Sequence, residues 1–143
     1  MLQVQDIRNN QDHYLKALAK RGIDAKQTFK DVLEADENRR ATQAKLDDTL
    51  AESNILSKEI GNLFKSGKAS EATALKGKTA GLKEASKVFG DTLNETVEKL
   101  KQLLYTIPNI PHALVPAGTN EDDNEETFRE GDIPVLDDGA MPH

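Results

Sequence analysis

Apolar positions along this chain recur at steps of three and four residues, with no sustained alternation of period two, and that spacing predicts helices rather than strands. Around residues 10–21, Asn10 offers an N-cap, Tyr14, Leu15 and Leu18 fall at helical spacing, and Gly22 follows Lys20 and Arg21 as a stop. A second helix is expected over about 28–65, opened by a capping-box-like Thr28 and Asp31 and spanning roughly 55 Å at ~1.5 Å per residue. Its seam is traced through Val32, Asp36, Arg39, Gln43, Leu46, Leu50, Ser53, Ser57, Ile60 and Phe64. A third helix is expected over about 70–106, with a seam through Ala72, Leu75, Thr79, Leu82, Ser86, Phe89, Leu93, Thr96, Leu100, Leu103 and Ile107.

A 4-3 repeat held over several heptads is the signature of a coiled coil. The two long segments are similar in length and joined by a few residues. Gly67 is placed to end the first, and Ser70 to cap the second ahead of Glu71. The expected fold is therefore all-α: a long antiparallel two-helix coiled-coil hairpin with a short N-terminal helix and an extended acidic C-terminal tail. Gly77, Gly81 and Gly90 lie inside the third helix, each costing about 1 kcal/mol relative to Ala, so the distal arm is expected to be the softer end.

Pro108 stops the third helix. "IPNIPHALVPAG" reads as a stiff extended connector, and "TNEDDNEETFREGD" as a solvated acidic loop. The expected division is a helical arm over 1–107 and a connector with acidic linker over 108–143. A tail of this length that cannot bury itself implies that the chain is part of a larger protein.

Composition agrees with an elongated shape. Only 36% of the 143 residues are hydrophobic and 4% aromatic, with no Trp, which is little material for a globular core. There is no Cys, so disulfides and thiolate metal sites are excluded. No apolar run reaches the ~18–20 residues that cross a bilayer, and the N-terminus lacks a signal pattern, so a soluble cytoplasmic protein without a membrane partner is expected.

Charge changes the picture more. The net charge is -6, yet residues 118–143 hold nine acids against Arg129, a balance of -8, while residues 58–87 hold seven lysines against Glu59, Glu71 and Glu84, a balance of +4. A single lysine on a coiled coil is ordinarily just solvated. A collective bias at one end of a rod is what non-sequence-specific affinity for a nucleic-acid backbone requires. The aromatic residues there, Phe64 and Phe89, fall on the expected seam, so packing rather than base stacking is assigned to them.

Candidate catalytic chemistry is sparse. His13, His112 and His143 stand far apart without ligand spacing. The run Glu121, Asp122, Asp123 lacks the spaced acids of a calcium loop. No Ser-His-Asp grouping or Gly-rich phosphate loop is found, and the residues point to no catalytic site and to no cofactor in this chain.

Three stretches carry a resemblance. "LEADENRRATQAKLDDTLAESNILSKEIGNLFKSGK", with N-x-L-S-K-x-I-G at 54–61, and "LLYTIPNIPHALVPAGTNEDDN", with L-x-T-I-P-N-I-P-H at 104–112, resemble the N-terminal region of bacterial seryl-tRNA synthetases. The opening "IRNNQDHYLKALAKRG" is similar to that family's short first helices, where a proline commonly stands in place of Gln11. The resemblance covers almost the whole chain. It implies an antiparallel helical arm attached to a class II catalytic domain, in a homodimer where the arm of one subunit presents tRNA to the other. It implies binding of the long variable arm of serine tRNA by shape and backbone contacts. Serine activation with ATP and Mg²⁺ then belongs to the catalytic domain, whose motifs do not occur in these residues, so the chain alone is expected to be inactive. Carried onto this sequence, the expected RNA contacts are Lys58, Lys65, Lys68, Lys76, Lys83 and Lys87. Arg39 and Arg40 are secondary candidates nearer the base, and Arg39's seam position favours a structural role. A coiled-coil adaptor or chaperone-like module that binds protein is the alternative.

Overall fold

A computed structural model describes residues 2–132, 134–137 and 139. Four α-helices account for its regular structure: α1 (Val4–Asn9), α2 (Gln11–Ala19), α3 (Lys26–Lys65) and α4 (Ala69–Tyr105). There is no strand among the described residues. The two long helices pack along each other as an antiparallel hairpin, and the short ones lie at its open end, which we call the base.

The N-terminus holds two helices where the sequence predicts one over 10–21. Asn10, at φ -132° and ψ 32°, breaks them apart, its N–H donating to Asp6 O and its carbonyl accepting from Tyr14 N. A six-residue helix is too short to persist alone. What holds α1 is burial of Ile7, fully enclosed in a cluster with Leu18, Phe29, Val32, Leu100, Leu104 and Ile107. This cluster is the main core, and it lies at the base.

The starts of the long helices also differ from expectation. α3 begins at Lys26, whose N–H is accepted by the Asp24 carboxylate at 3.1 Å; Thr28 lies inside the helix, and Asp31 instead accepts from the Gln27 side-chain amide at 2.7 Å. α4 begins at Ala69 with Lys68 as its cap residue, so Ser70 is already helical. The turn between them is a glycine-closed helix end. Gly67 takes φ +76°, its N–H reaches Phe64 O, and Lys68 N reaches Leu63 O.

Along the arm the α4 seam is as expected, with every one of its positions buried or partly buried. The α3 seam keeps Asp36 buried and Gln43 partly buried as expected, but is displaced by one residue at its three distal alternate positions. Ala35, Thr42, Thr49, Leu56 and Leu63 turn inward, while Leu50, Ser57 and Phe64 are exposed. Among the described residues of the shaft, distal to the base cluster, Leu56 and Ala72 alone are buried, so the shaft is a thin seam on a thick base.

The Pro-rich segment is not a free connector. It folds back against the base, with Ile107 buried and Ile110 packed on the core. The Lys20 ammonium donates to the carbonyls of Ala113 and Val115 at 3.0 and 3.1 Å, and Arg21 donates to Asn109 O at 3.1 Å. Gly118 N–H returns a bond to Lys20 O at 2.9 Å. The acidic loop then makes one 3-10 turn, Glu121–Asp123, and its described residues remain exposed.

Candidate nucleic-acid interface

All six candidate lysines are exposed, but they do not share one face. Lys76, Lys83 and Lys87 are spaced seven and four residues apart, which stacks them in one stripe of α4 beside the seam. Lys58 and Lys65 are also seven apart, yet each follows a flank position of α3 (Ser57, Phe64) by one residue. That turns them about 100° further round, onto the outer surface of the helix. Lys68 sits in the turn, its ammonium 3.4 Å from the Glu71 carboxylate.

The two flanks of the hairpin can be told apart by what meets across them. On one, the Lys76 ammonium lies 4.9 Å from the centre of the Phe64 ring. Further along, a shallow groove is lined by Leu46, Leu50, Ala80, Lys83, Glu84 and Lys87, with Ser86 and Gly90. At the base this flank ends in a polar groove walled by Arg8, Asp36, Arg39 and Arg40. On the other flank Lys78 pairs with Glu52 at 2.8 Å, and a groove at the base is walled by Asp31, Glu34, Asn38 and Lys99.

Phe64 is therefore not the seam residue its spacing implies. It is 45% exposed, and its ring serves as a platform for a cation. Lys78 contributes to the basic count in the sequence, but in the structure Glu52 engages it, and this hydrogen-bonded charge raises the lysine pKa.

Arg39 has the structural role its seam position suggests. Its Nε and Nη2 donate to Asp36 Oδ1 at 3.0 and 2.8 Å, while Arg8 Nη2 donates to Oδ2 at 2.6 Å. Burial of Asp36 works against its ionisation. The hydrogen bonds and positive charge of Arg8 and Arg39 outweigh burial and hold its pKa below the ordinary carboxylate value. Arg40 is exposed on the lip of the same groove and forms no ion pair among the described residues.

The histidines and acids do not come together. His13 packs edge-on to Tyr14 with ring centres 5.4 Å apart, and His112 Nδ1 accepts from Leu114 N. His143 lies outside the described residues. No group of three or more metal-ligating side chains occurs among the described residues. Asp123 accepts from the N–H groups of Thr119 and Asn120, which lowers its pKa and makes it a loop cap. No helix is long and apolar enough to cross a membrane among the described residues.

Sequence reasoning missed the flank arrangement and the hold of Lys20 and Arg21 on the Pro-rich segment. Lys20 and Arg21 looked like ordinary basic residues at a helix end, and carbonyl acceptors leave no signature in the side-chain pattern.

A packed helical base, a slender hairpin shaft and exposed lysines at its far end define an arm-like helical domain. The model of the seryl-tRNA synthetase N-terminal domain family matches residues 1–111, and the chain belongs to that family. Serine–tRNA ligase of Salinibacter ruber is 36% identical over 143 residues, all of this chain and 33% of that protein. Those of Neisseria meningitidis serogroup B and a Hydrogenobaculum species are 36% and 35% identical, over 96% and 100% of this chain. The chain thus spans about a third of the length of the curated relatives it matches.

Proposed function

We propose that this chain is the tRNA-binding arm of a serine–tRNA ligase, with a helical arm over 1–107 and a connecting segment over 108–143. In this reading the arm engages the long variable arm of serine tRNA by shape and backbone contacts, in a cytoplasmic homodimer. The catalytic domain of the same enzyme, using ATP and Mg²⁺, performs the aminoacylation, and the arm positions its substrate.

The observation that carries the reading is the charge of the distal arm. Residues 58–87 hold a balance of +4 in a chain of net charge -6, and Lys58, Lys65, Lys68, Lys76, Lys83 and Lys87 all reach solvent there. Lysines held on a rigid rod release counterions from a phosphate backbone without reading bases. Family membership over residues 1–111 supports the identity of that polyanion.

The test is a titration of this chain with tRNA that has a long variable arm and tRNA that lacks it, at several salt concentrations. Preference for the first is expected, with log K falling against log salt at a slope of about -3 to -5 for ~4–6 neutralised phosphates. Equal affinity for both RNAs at matched salt would overturn the shape-reading role and favour a protein-interaction module. Serine-dependent ATP–pyrophosphate exchange by this chain is expected to be absent.

A further inference from the structure

The exposed charges of the hairpin are divided unequally between its two flanks. Within residues 36–64 and 73–104, the flank marked by the Phe64–Lys76 contact carries Arg40, Lys76, Lys83, Lys87 and Lys101 against the exposed Asp47 and Glu84, a balance of +3, besides the buried Asp36. Asp36 is moreover already engaged by Arg8 and Arg39. Over the same span, the flank marked by the Glu52–Lys78 pair carries Lys45, Lys78 and Lys99 against Asp48, Glu52, Glu59 and Glu95, a balance of -1. Asp31 and Glu34 extend that acidic side to the base.

The relief of the basic flank is also low. Gly61 and Gly90 stand open, with no heavy atom within 4 Å of where a Cβ would project, and Ser57 and Ala80 add little height. Asn54 and Asn94 are exposed amides able to meet a ribose hydroxyl. Cations set along a shallow, small-residue surface suit a phosphate–ribose backbone, which must approach closely over some length. From Phe64 back to Arg40 the helix rises roughly 36 Å at ~1.5 Å per residue.

We infer that RNA lies along this one flank, from the Phe64–Lys76 contact at the tip to the Arg8–Asp36–Arg39–Arg40 cluster at the base. Lys76, Lys83 and Lys87 touch its backbone, whereas Lys58 and Lys65 face outward and Lys78 faces the acidic flank. The inference rests on the reading of the chain as a tRNA-binding arm, and assigns the face on which that binding occurs.

Two measurements test it on the whole chain. In the first, Lys76→Glu, Lys83→Glu and Lys87→Glu are combined, and a control combines Lys45→Glu, Lys78→Glu and Lys99→Glu on the acidic flank, with the same change in net charge. All six side chains are exposed on helices, and circular dichroism checks that both proteins fold. Against tRNA with a long variable arm at ~0.1 M salt, the flank triple is expected to lose roughly 100-fold in affinity, with a slope shallower by about 2.7. The control is expected to lose less than about threefold, because its charges act only from beyond the contact surface, where salt screens them.

In the second, lysines of the unsubstituted chain are acetylated with and without tRNA and read by mass spectrometry. Protection is expected at Lys76, Lys83 and Lys87, with labelling unchanged at Lys58, Lys65 and Lys78. Equal losses in the two triples, or protection spread over both sets, would overturn the one-flank assignment while leaving RNA binding intact. Failure of the unsubstituted chain to bind any tRNA would remove the underlying reading and this inference with it.

Discussion

Arg8 Nη2 lies 2.6 Å from Asp36 Oδ2, joining the first short helix to the long arm across 28 positions of sequence. Arg39 grips the other oxygen of the same carboxylate. Asp36 is 5% exposed, whereas the Arg8 and Arg39 side chains keep 40% and 34% of their surface. One buried anion thus organises two half-solvated cations at the point where the shaft leaves the base. Asp36→Ala is expected to destabilise the chain by about 2 kcal/mol in urea unfolding. That is below the cost of breaking a fully buried pair, because water can reach both guanidiniums once the carboxylate is gone.

The same group gives an acid dependence with a defined sign. Folding lowers the Asp36 pKa, so the unfolded chain binds its proton more readily than the native one. The stabilisation is complete above the ordinary value of 3.8 and is lost as pH falls through the lower folded value. The stability difference between wild type and Asp36→Asn should therefore be flat above about pH 5 and shrink below about pH 4. A difference that grew on acidification, in denaturant titrations across that range, would contradict the ion-pair assignment.

Two phenylalanines on one helix should behave differently. Phe29 is fully buried in the base, and Phe29→Ala is expected to cost about 3–5 kcal/mol. Phe64 is 45% exposed with the Lys76 ammonium over its ring, so Phe64→Ala should cost about 1 kcal/mol, well below Phe29→Ala. Comparable losses in thermal or urea unfolding would restore Phe64 to the core.

The hairpin was legible because two 4-3 repeats flank a Gly67 turn, and α4 is apolar enough at its seam to fix its own facing. The facing of α3 was not, for a physical reason. At alternate seam positions it carries Ala35, Thr42 and Thr49, while Leu50 and Phe64 stand one residue away on the flank. At Thr49–Leu50 and Leu63–Phe64 hydrophobicity points to the larger side chain, but close packing of two thin helices selects the smaller one. The lysine cluster was legible as a count and not as a surface, since facing depends on that register. The first helix was missed because only tertiary burial of Ile7 makes it stable.

The hold of the base on the Pro-rich segment should be measurable through one amide. Gly118 N–H donates to Lys20 O, and a Cβ at Gly118 would come within 2.4 Å of Asp123 Cβ, so the loop cap and this bond cannot both survive an added methyl. Gly118→Ala should free the segment, as should Lys20→Ala, which removes the ammonium bonds to Ala113 and Val115. Helical circular dichroism should stay unchanged in both. In Lys20→Ala the Gly118 amide should exchange with solvent roughly tenfold faster by NMR, as expected for a local opening. An unchanged rate would mean that the Lys20 ammonium bonds do not hold the segment, leaving that role to Arg21 and the apolar contacts.

Stability should also be graded along the arm, and glycines offer a way to shift it locally. Gly77 and Gly81 lie inside α4 with open space where a Cβ would go. Neither takes a positive φ, so Ala fits the same backbone and restricts the unfolded chain more. Each substitution to Ala is expected to add up to about 1 kcal/mol to the helix around it. The buried cluster lies at the base, far from both glycines, so distal amides should open before basal ones. In the Gly77→Ala, Gly81→Ala double variant, added exchange protection should therefore appear in residues flanking the Gly67 turn and leave the base amides unchanged. Uniform protection over the whole hairpin would instead mean that the arm opens as a single cooperative unit.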